Sequence, residues 1–166
     1  MKSTLLRVLI GKHPRRTLVR AVVLAVICFV VFRFMFRPAW TDGASMEPTV
    51  HDGRLHFINL LAYRTGDPQR FDIVAVSQRG DNGKKFMYLK RILGRPGERV
   101  EFTDGVLIVD GVAQDEPYLE FGGAWTMDKT ELSDDEYFVA GDNRNQPMRF
   151  HMAGTTKRRY IVGKLL

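Results

Sequence analysis

The sequence predicts a mainly β domain of barrel or sandwich type, preceded by one membrane-spanning helix. Three observations carry that expectation: an acid-free apolar run near the N-terminus, a series of short apolar or β-branched stretches after it, and one strongly marked hairpin turn. At 166 residues the chain suffices for one globular unit, and its 45% hydrophobic content allows a core of ordinary size.

The helix comes first. Residues 21–32 read AVVLAVICFVVF, without a charge. If Arg20 and Arg33 extend their stems toward opposite head-group layers, the span lengthens to residues 18–36, enough to cross a bilayer. A bare 12-residue run would suit a buried core helix equally well; the arginine flanks and the absence of acids favour the membrane. Residues 1–37 hold eight Lys or Arg and no acid, six before the apolar run and two after it. That asymmetry predicts a cytoplasmic N-terminus, with everything past Pro38 on the far side. RPAWTDG, which follows, offers no small-x-small cleavage site, so the span reads as a retained anchor. The expected organisation is a basic cytoplasmic tail (1–17), an anchor (18–37) and an extracytoplasmic β domain (38–166), with residues 104–136 as a smaller hairpin and loop excursion.

The remainder carries 17 basic against 19 acidic residues. This mildly acidic body argues against nucleic acid as a partner. Cys28, the single cysteine, lies inside the apolar run, so no intrachain disulfide or cysteine metal cluster is expected. His13, His51, His56 and His151 are scattered without a metal-binding helical pair, and neither metal nor other cofactor is expected.

After the anchor, strands are expected at 55–58, 71–77, 86–93, 99–102, 137–140 and 160–162. Turn formers such as Gly66-Asp67-Pro68, Gly80-Asp81-Asn82-Gly83 and Arg95-Pro96-Gly97 separate them. The hairpin is Val106-Leu107-Ile108-Val109, Asp110-Gly111, Val112-Ala113-Gln114, where Asp-Gly supplies the positive φ angles of a type I′ turn. Residues 115–134, with several acids and Gly122-Gly123, read as a loop-rich excursion from the sheet. Residues 57–63, FINLLAY, are strongly apolar and either fill the core or, with Trp40, face lipid.

Chemistry is expected at GASMEPTV, residues 43–50. A serine hydroxyl needs a base, and no histidine has an evident place near it. A lysine serves instead when burial disfavours its charged form. In FMYLKRIL, alternation puts Tyr88, Lys90 and Ile92 on one strand face and Leu89, Arg91 and Leu93 on the other. Lys90 is thus a candidate for burial, although an amphipathic lysine reaching water from a strand edge fits the same pattern. Lys84 and Lys85 lie in a polar turn and read as solvated.

Ser45-Met46-Glu47-Pro48-Thr49, then Lys90-Arg91-Ile92-Leu93-Gly94-Arg95-Pro96-Gly97-Glu98, then Gly141-Asp142-Asn143-Arg144 occur in an order that resembles the bacterial type I signal peptidases. The resemblance runs from about Gly43 to Gly163. It implies the β fold that these membrane-anchored proteases share with the SOS-repressor autoproteases, and a Ser/Lys dyad in which Ser45 attacks and Lys90 is the base. It also implies an oxyanion site at the Ser45 N–H, with Gly43, Ala44 and Met46 beside the substrate. Arg91, Gly141, Asp142, Asn143 and Arg144 would support the site. The substrates implied are exported preproteins with small residues at −1 and −3, processed at the bacterial inner membrane with the catalytic domain in the periplasm.

Two positions depart from the pattern. Some relatives carry a hydroxyl where this chain has Gly43. The serine and the Asp-Ser-Arg-like group expected after Arg144 fall here on Pro147, Arg149, Phe150 and His151. The expected function is signal-peptide removal. A dedicated peptidase of conjugative-transfer or pilus type, or an inactive relative serving as a membrane scaffold, stand as alternatives.

Overall fold

A computed structural model of the chain describes residues 14–80, 83–120, 122–151 and 154–166. Two units separate at residue 36, one ending at Phe36 and one running from Arg37 to Leu166.

In the first unit, helix α1 spans Pro14–Met35. Proline suits a helix start, where its missing N–H is no loss. The apolar side chains of α1 lie exposed all round the helix, as Leu24, Phe29 and Phe34 illustrate. Such a helix needs an apolar medium, and Arg15–Met35 is long and apolar enough to cross a bilayer.

The second unit is mainly β, as expected. Its strands are β1 (Phe36–Trp40), β2 (Leu55–Asn59), β3 (Ile73–Arg79), β4 (Lys85–Gly94), β5 (Arg99–Thr103), β6 (Val106–Val109), β7 (Val112–Ala113), β8 (Met127–Glu131), β9 (Glu136–Ala140), β10 (Gly154–Lys157) and β11 (Ile161–Leu165). Seven form one sheet in the order β1-β2-β11-β3-β4-β9-β10, and four form a second in the order β7-β6-β5-β8. Pro38, which has no N–H to donate, sits in the edge strand β1.

Strand β4 organises the larger sheet. It pairs with β3 along its length, from Ile73 opposite Arg91 to Arg79 opposite Lys85. On its other edge β9 joins only from Arg91 onward, where Arg91 faces Ala140. Residues 85–90 thus present an edge with no strand partner among the described residues.

Alternation along β4 and β9 divides the core. Ile92 and Val139 join Val74, Val76, Tyr137 and Ile161. Leu93 and Phe138 turn the other way, to Val100, Phe102, Leu107, Trp125 and Leu132 from the small-sheet region. Phe102 lies at the centre of that second cluster, its ring 5.7 Å from Trp125 and 6.1 Å from Phe138. Each fully buried aliphatic or aromatic side chain contributes about 1.5–3 kcal/mol, which makes this cluster the principal link between the two sheets.

The Asp110-Gly111 turn forms as read, with φ of 50° and 81°. Other expectations need correction. Within the loop-rich residues 115–134 lies a strand that was not expected, because Met127–Glu131 forms β8 and pairs with β5. Its MDKTE sequence alternates too weakly to mark a strand. Phe71 lies outside β3, at φ 70°, which ladder pairing does not allow. Lys85 is exposed but belongs to β4 rather than to a turn. Helix α1 spans Pro14–Met35 against the expected anchor of residues 18–37, and it gives way to β1 at Phe36. In residues 57–63, Ile58 is fully buried, whereas Trp40 is 73% exposed.

Candidate active site

Lys90 is buried, at 3% exposure, on the β4 face that carries Tyr88 and Ile92. Its Nζ donates to Ser45 Oγ at 2.7 Å and to the Leu89 carbonyl at 3.0 Å. With a neutral amine the first contact reverses, and the serine hydroxyl donates to nitrogen. The Tyr88 ring stands 5.6 Å from Nζ. Burial pulls the Lys90 pKa down to about 8, against a smaller opposing pull from the Asp142 carboxylate.

The Ser45 turn is held from below by the loop after β9. Asn143 donates from its main chain to the Ser45 carbonyl (3.1 Å) and from its side chain to the Ala44 carbonyl (3.0 Å). These bonds fix the peptide planes on either side of the serine. The Ser45 N–H meets no acceptor among the described residues, whereas the Gly43 N–H (φ 110°) donates to Asp52 Oδ1 at 2.9 Å. Met46 and Val50 are buried beneath the turn, and Val50 N–H donates to the Met46 carbonyl. Together with Ala39, Asp42 and Leu89 they line a cleft of about 140 Å³ that contains Ser45 and Lys90.

Arg91 points away from Lys90, as alternation requires. It grips Asp142 with two bonds, at 2.9 and 2.5 Å, and donates to the Phe71 carbonyl at 2.8 Å. Asp142 also accepts from Thr49 Oγ1 at 2.6 Å, so this pair anchors the far end of the Ser45 turn. The left-handed backbone at Phe71 is what aims its carbonyl at Arg91.

A second buried pair lies behind the first. Arg144 is 2% exposed, donates to the Gly141 carbonyl at 2.9 Å, and meets Glu116 at 2.6 and 3.2 Å. The Tyr118 hydroxyl donates to the same carboxylate, and its ring lies 3.7 Å beneath the Arg91 guanidinium. Glu116, Tyr118 and Thr49 escape sequence reasoning. Glu116 is one acid among neighbours such as Asp115 and Glu120, and only the fold brings it to Arg144, 28 positions away.

His151 is fully buried, edge-on to Trp125 at 4.8 Å between centroids. Its ring nitrogens find no partner in hydrogen-bond geometry among the described residues, although the Asn143 main chain lies near enough to favour the charged form slightly. Burial, then the positive charges of Lys90 and Arg144, lower its pKa to about 4, so the ring is neutral at ordinary pH. Of the other divergent positions, Pro147 precedes the short 3₁₀ turn Met148–Phe150, which carries Arg149 and delivers the chain to His151. Among the described residues, no group of three His, Cys, Asp or Glu is placed to hold a metal ion.

Gly141 is where the two layers touch. A Cβ there would sit 2.1 Å from the Ser45 carbonyl oxygen and 2.6 Å from His151 Nδ1. Gly141→Ala is therefore expected to cost about 1–3 kcal/mol of stability in denaturant unfolding. It should also open the Ser45–Lys90 contact beyond hydrogen-bonding distance in a crystal structure of the variant. An unchanged contact and unchanged stability would contradict this packing.

The family described as signal peptidase, peptidase S26, matches residues 15–166. Signal peptidase I of Bacillus amyloliquefaciens is 37% identical over 140 residues, spanning 78% of this chain and 73% of the relative. Signal peptidase IB of Staphylococcus aureus is 31% identical over 158 residues, 84% and 81% of the respective chains. Among solved structures, a signal peptidase I from Enterococcus faecalis V583 is 29% identical, covers 60% of this chain and 97% of its own, and aligns with a TM-score of 0.48. The family match over nearly the whole chain makes this protein a member of the peptidase S26 family of signal peptidases.

Proposed function

We propose that this protein is a membrane-anchored serine endopeptidase that removes N-terminal signal peptides from exported preproteins with a Ser45/Lys90 dyad. The observation that carries the reading is the 2.7 Å contact between Ser45 Oγ and a lysine nitrogen excluded from water. An assembled dyad argues against the scaffold alternative.

Neutral Lys90 takes the Ser45 proton as Oγ attacks the scissile carbonyl, and the Ser45 N–H receives the oxyanion. The lysine then passes that proton to the leaving amine, which departs as the new N-terminus and leaves an ester on Ser45. Water, deprotonated by the same lysine, hydrolyses the ester and frees the signal peptide. The substrate adds as a strand to the open edge of β4 at residues 85–90. A narrow cleft walled by Met46, Val50 and Leu89 suits small side chains at −1 and −3. Arg91, Asp142, Asn143, Gly141 and Arg144 keep the turn and the strand in register.

Helix α1 is the anchor. The basic N-terminal excess sets the N-terminus in the cytoplasm and the β unit in the periplasm. Protease added after permeabilising the outer envelope should digest residues past Pro38, and protection of that region would contradict the orientation.

Ser45→Ala and Lys90→Met should each lower cleavage of a precursor by about ten-thousand-fold or more in the solubilised protein. Turnover near wild type in either variant would rule out the dyad. A lysine at about 8 in the fold and about 10.4 in the unfolded chain binds its proton more readily when unfolded, so stability falls as pH drops from about 10.4 to about 8, and the full cost of its burial is present below that. Lys90→Met should therefore raise the neutral-pH melting temperature while abolishing activity. In the wild type, kcat/KM should rise with pH and reach half its plateau near pH 8. A profile flat from pH 6 to 10 would exclude a lysine base.

A further inference from the structure

Beside the catalytic cleft lies a larger groove of about 810 Å³. Among the described residues, four cations line it, Arg79, Lys85, Lys157 and Arg159, against one carboxylate, that of Glu136. The chain beyond residue 37 is acidic overall, with 17 basic and 19 acidic residues, so this groove gathers positive charge on a body that otherwise lacks it.

Two features indicate that the cluster is more than a solvated surface. Arg79 and Lys85 stand directly opposite each other in the β3/β4 register, an arrangement of like charges that destabilises a strand pair. Neither forms an ion pair among the described residues, Lys157 reaches Asp135 only at 3.7 Å, and Arg159 donates to the Tyr160 hydroxyl. An anion between Arg79 and Lys85 would convert that repulsion into attraction. The second feature is position, because Tyr88 lines both the groove and the cleft. The open edge of β4 runs from Lys90 at the nucleophile to Lys85 in the groove, about 17 Å, the length of roughly five extended residues.

We propose that this groove is a substrate subsite that receives acidic side chains of the preprotein, about four to six residues from the scissile bond. The proposal rests on the peptidase reading above, with substrate extended along β4. A polypeptide is favoured over an anionic lipid head group because the unpaired strand edge leads directly from Ser45 into the groove.

The test uses the full chain in detergent and peptides of one neutral sequence, with Asp, Ala or Lys walked from six residues before the cleavage site to six after it. At one or two positions four to six residues from the bond, Asp should lower KM about three- to fivefold relative to Ala, and Lys should raise it. The preference should fade in high salt. Arg79→Glu and Lys85→Glu should reverse the Asp-over-Lys ranking, a result that misfolding cannot produce. No position dependence, or a ranking unchanged in both variants, would overturn the proposal. So would peptides that show no discrimination while the two variants lose binding to phosphatidylglycerol vesicles, an outcome that would assign the groove to lipid. Failure of the peptidase reading appears separately, as cleavage of the neutral peptide that survives Ser45→Ala.

Discussion

Asp142 and Arg91 form the pair on which the rest of the site depends. The carboxylate is fully buried and receives two guanidinium bonds and the Thr49 hydroxyl, so one charge pair ties β4, the Ser45 turn and the loop after β9 together. Removing either partner of such a pair leaves an uncompensated charge, at a cost of about 3–5 kcal/mol. Because Arg91 and Lys90 are neighbours on a strand, fixing one face fixes the other. Arg91 pins the turn from behind, and Lys90 meets Ser45 in front. The same pairing governs the electrostatics. Asp142 directs its charge at Arg91, so its pull on the Lys90 proton is weaker than the cost of burying the ammonium, and the pKa falls.

The surrounding charges follow the same logic. Arg144 and Glu116 neutralise each other inside the protein, and Tyr118 couples them to Arg91 through a hydroxyl on one side and a ring face on the other. His151 fills the space beneath Gly141 as a neutral ring and adds no charge beside Lys90 at ordinary pH. Compactness is the other requirement. Gly141 lets the Ser45 carbonyl approach so closely that any side chain there would displace Ser45. In the proposed mechanism, burying an amine that binds its proton more readily in the unfolded chain is a stability cost accepted for activity.

Much of this was legible in the sequence because it is local. Alternation in FMYLKRIL separated Lys90 from Arg91 correctly, the Asp-Gly turn gave its hairpin, and the acid-free apolar run gave α1. What stayed hidden depends on distant parts of the chain. β8 and β10 are short, polar strands, whose MDKTE and GTTK sequences become strands by pairing with β5 and β9. Glu116 and Tyr118 carry no local mark, since their partners lie at Arg144 and Arg91. The divergence after Arg144 was visible as sequence, but the place of His151 against Trp125 and Gly141 required the fold.

The central claim is that Lys90 is an amine and not an ammonium when it meets Ser45 at mildly alkaline pH. Direct titration of its Nζ tests this best, by NMR of ¹⁵N-lysine-labelled protein with Lys90→Met to assign the signal. The expected result is a transition near pH 8, well below that of the exposed lysines. A Lys90 signal that titrates with the exposed lysines, above pH 10, would contradict it.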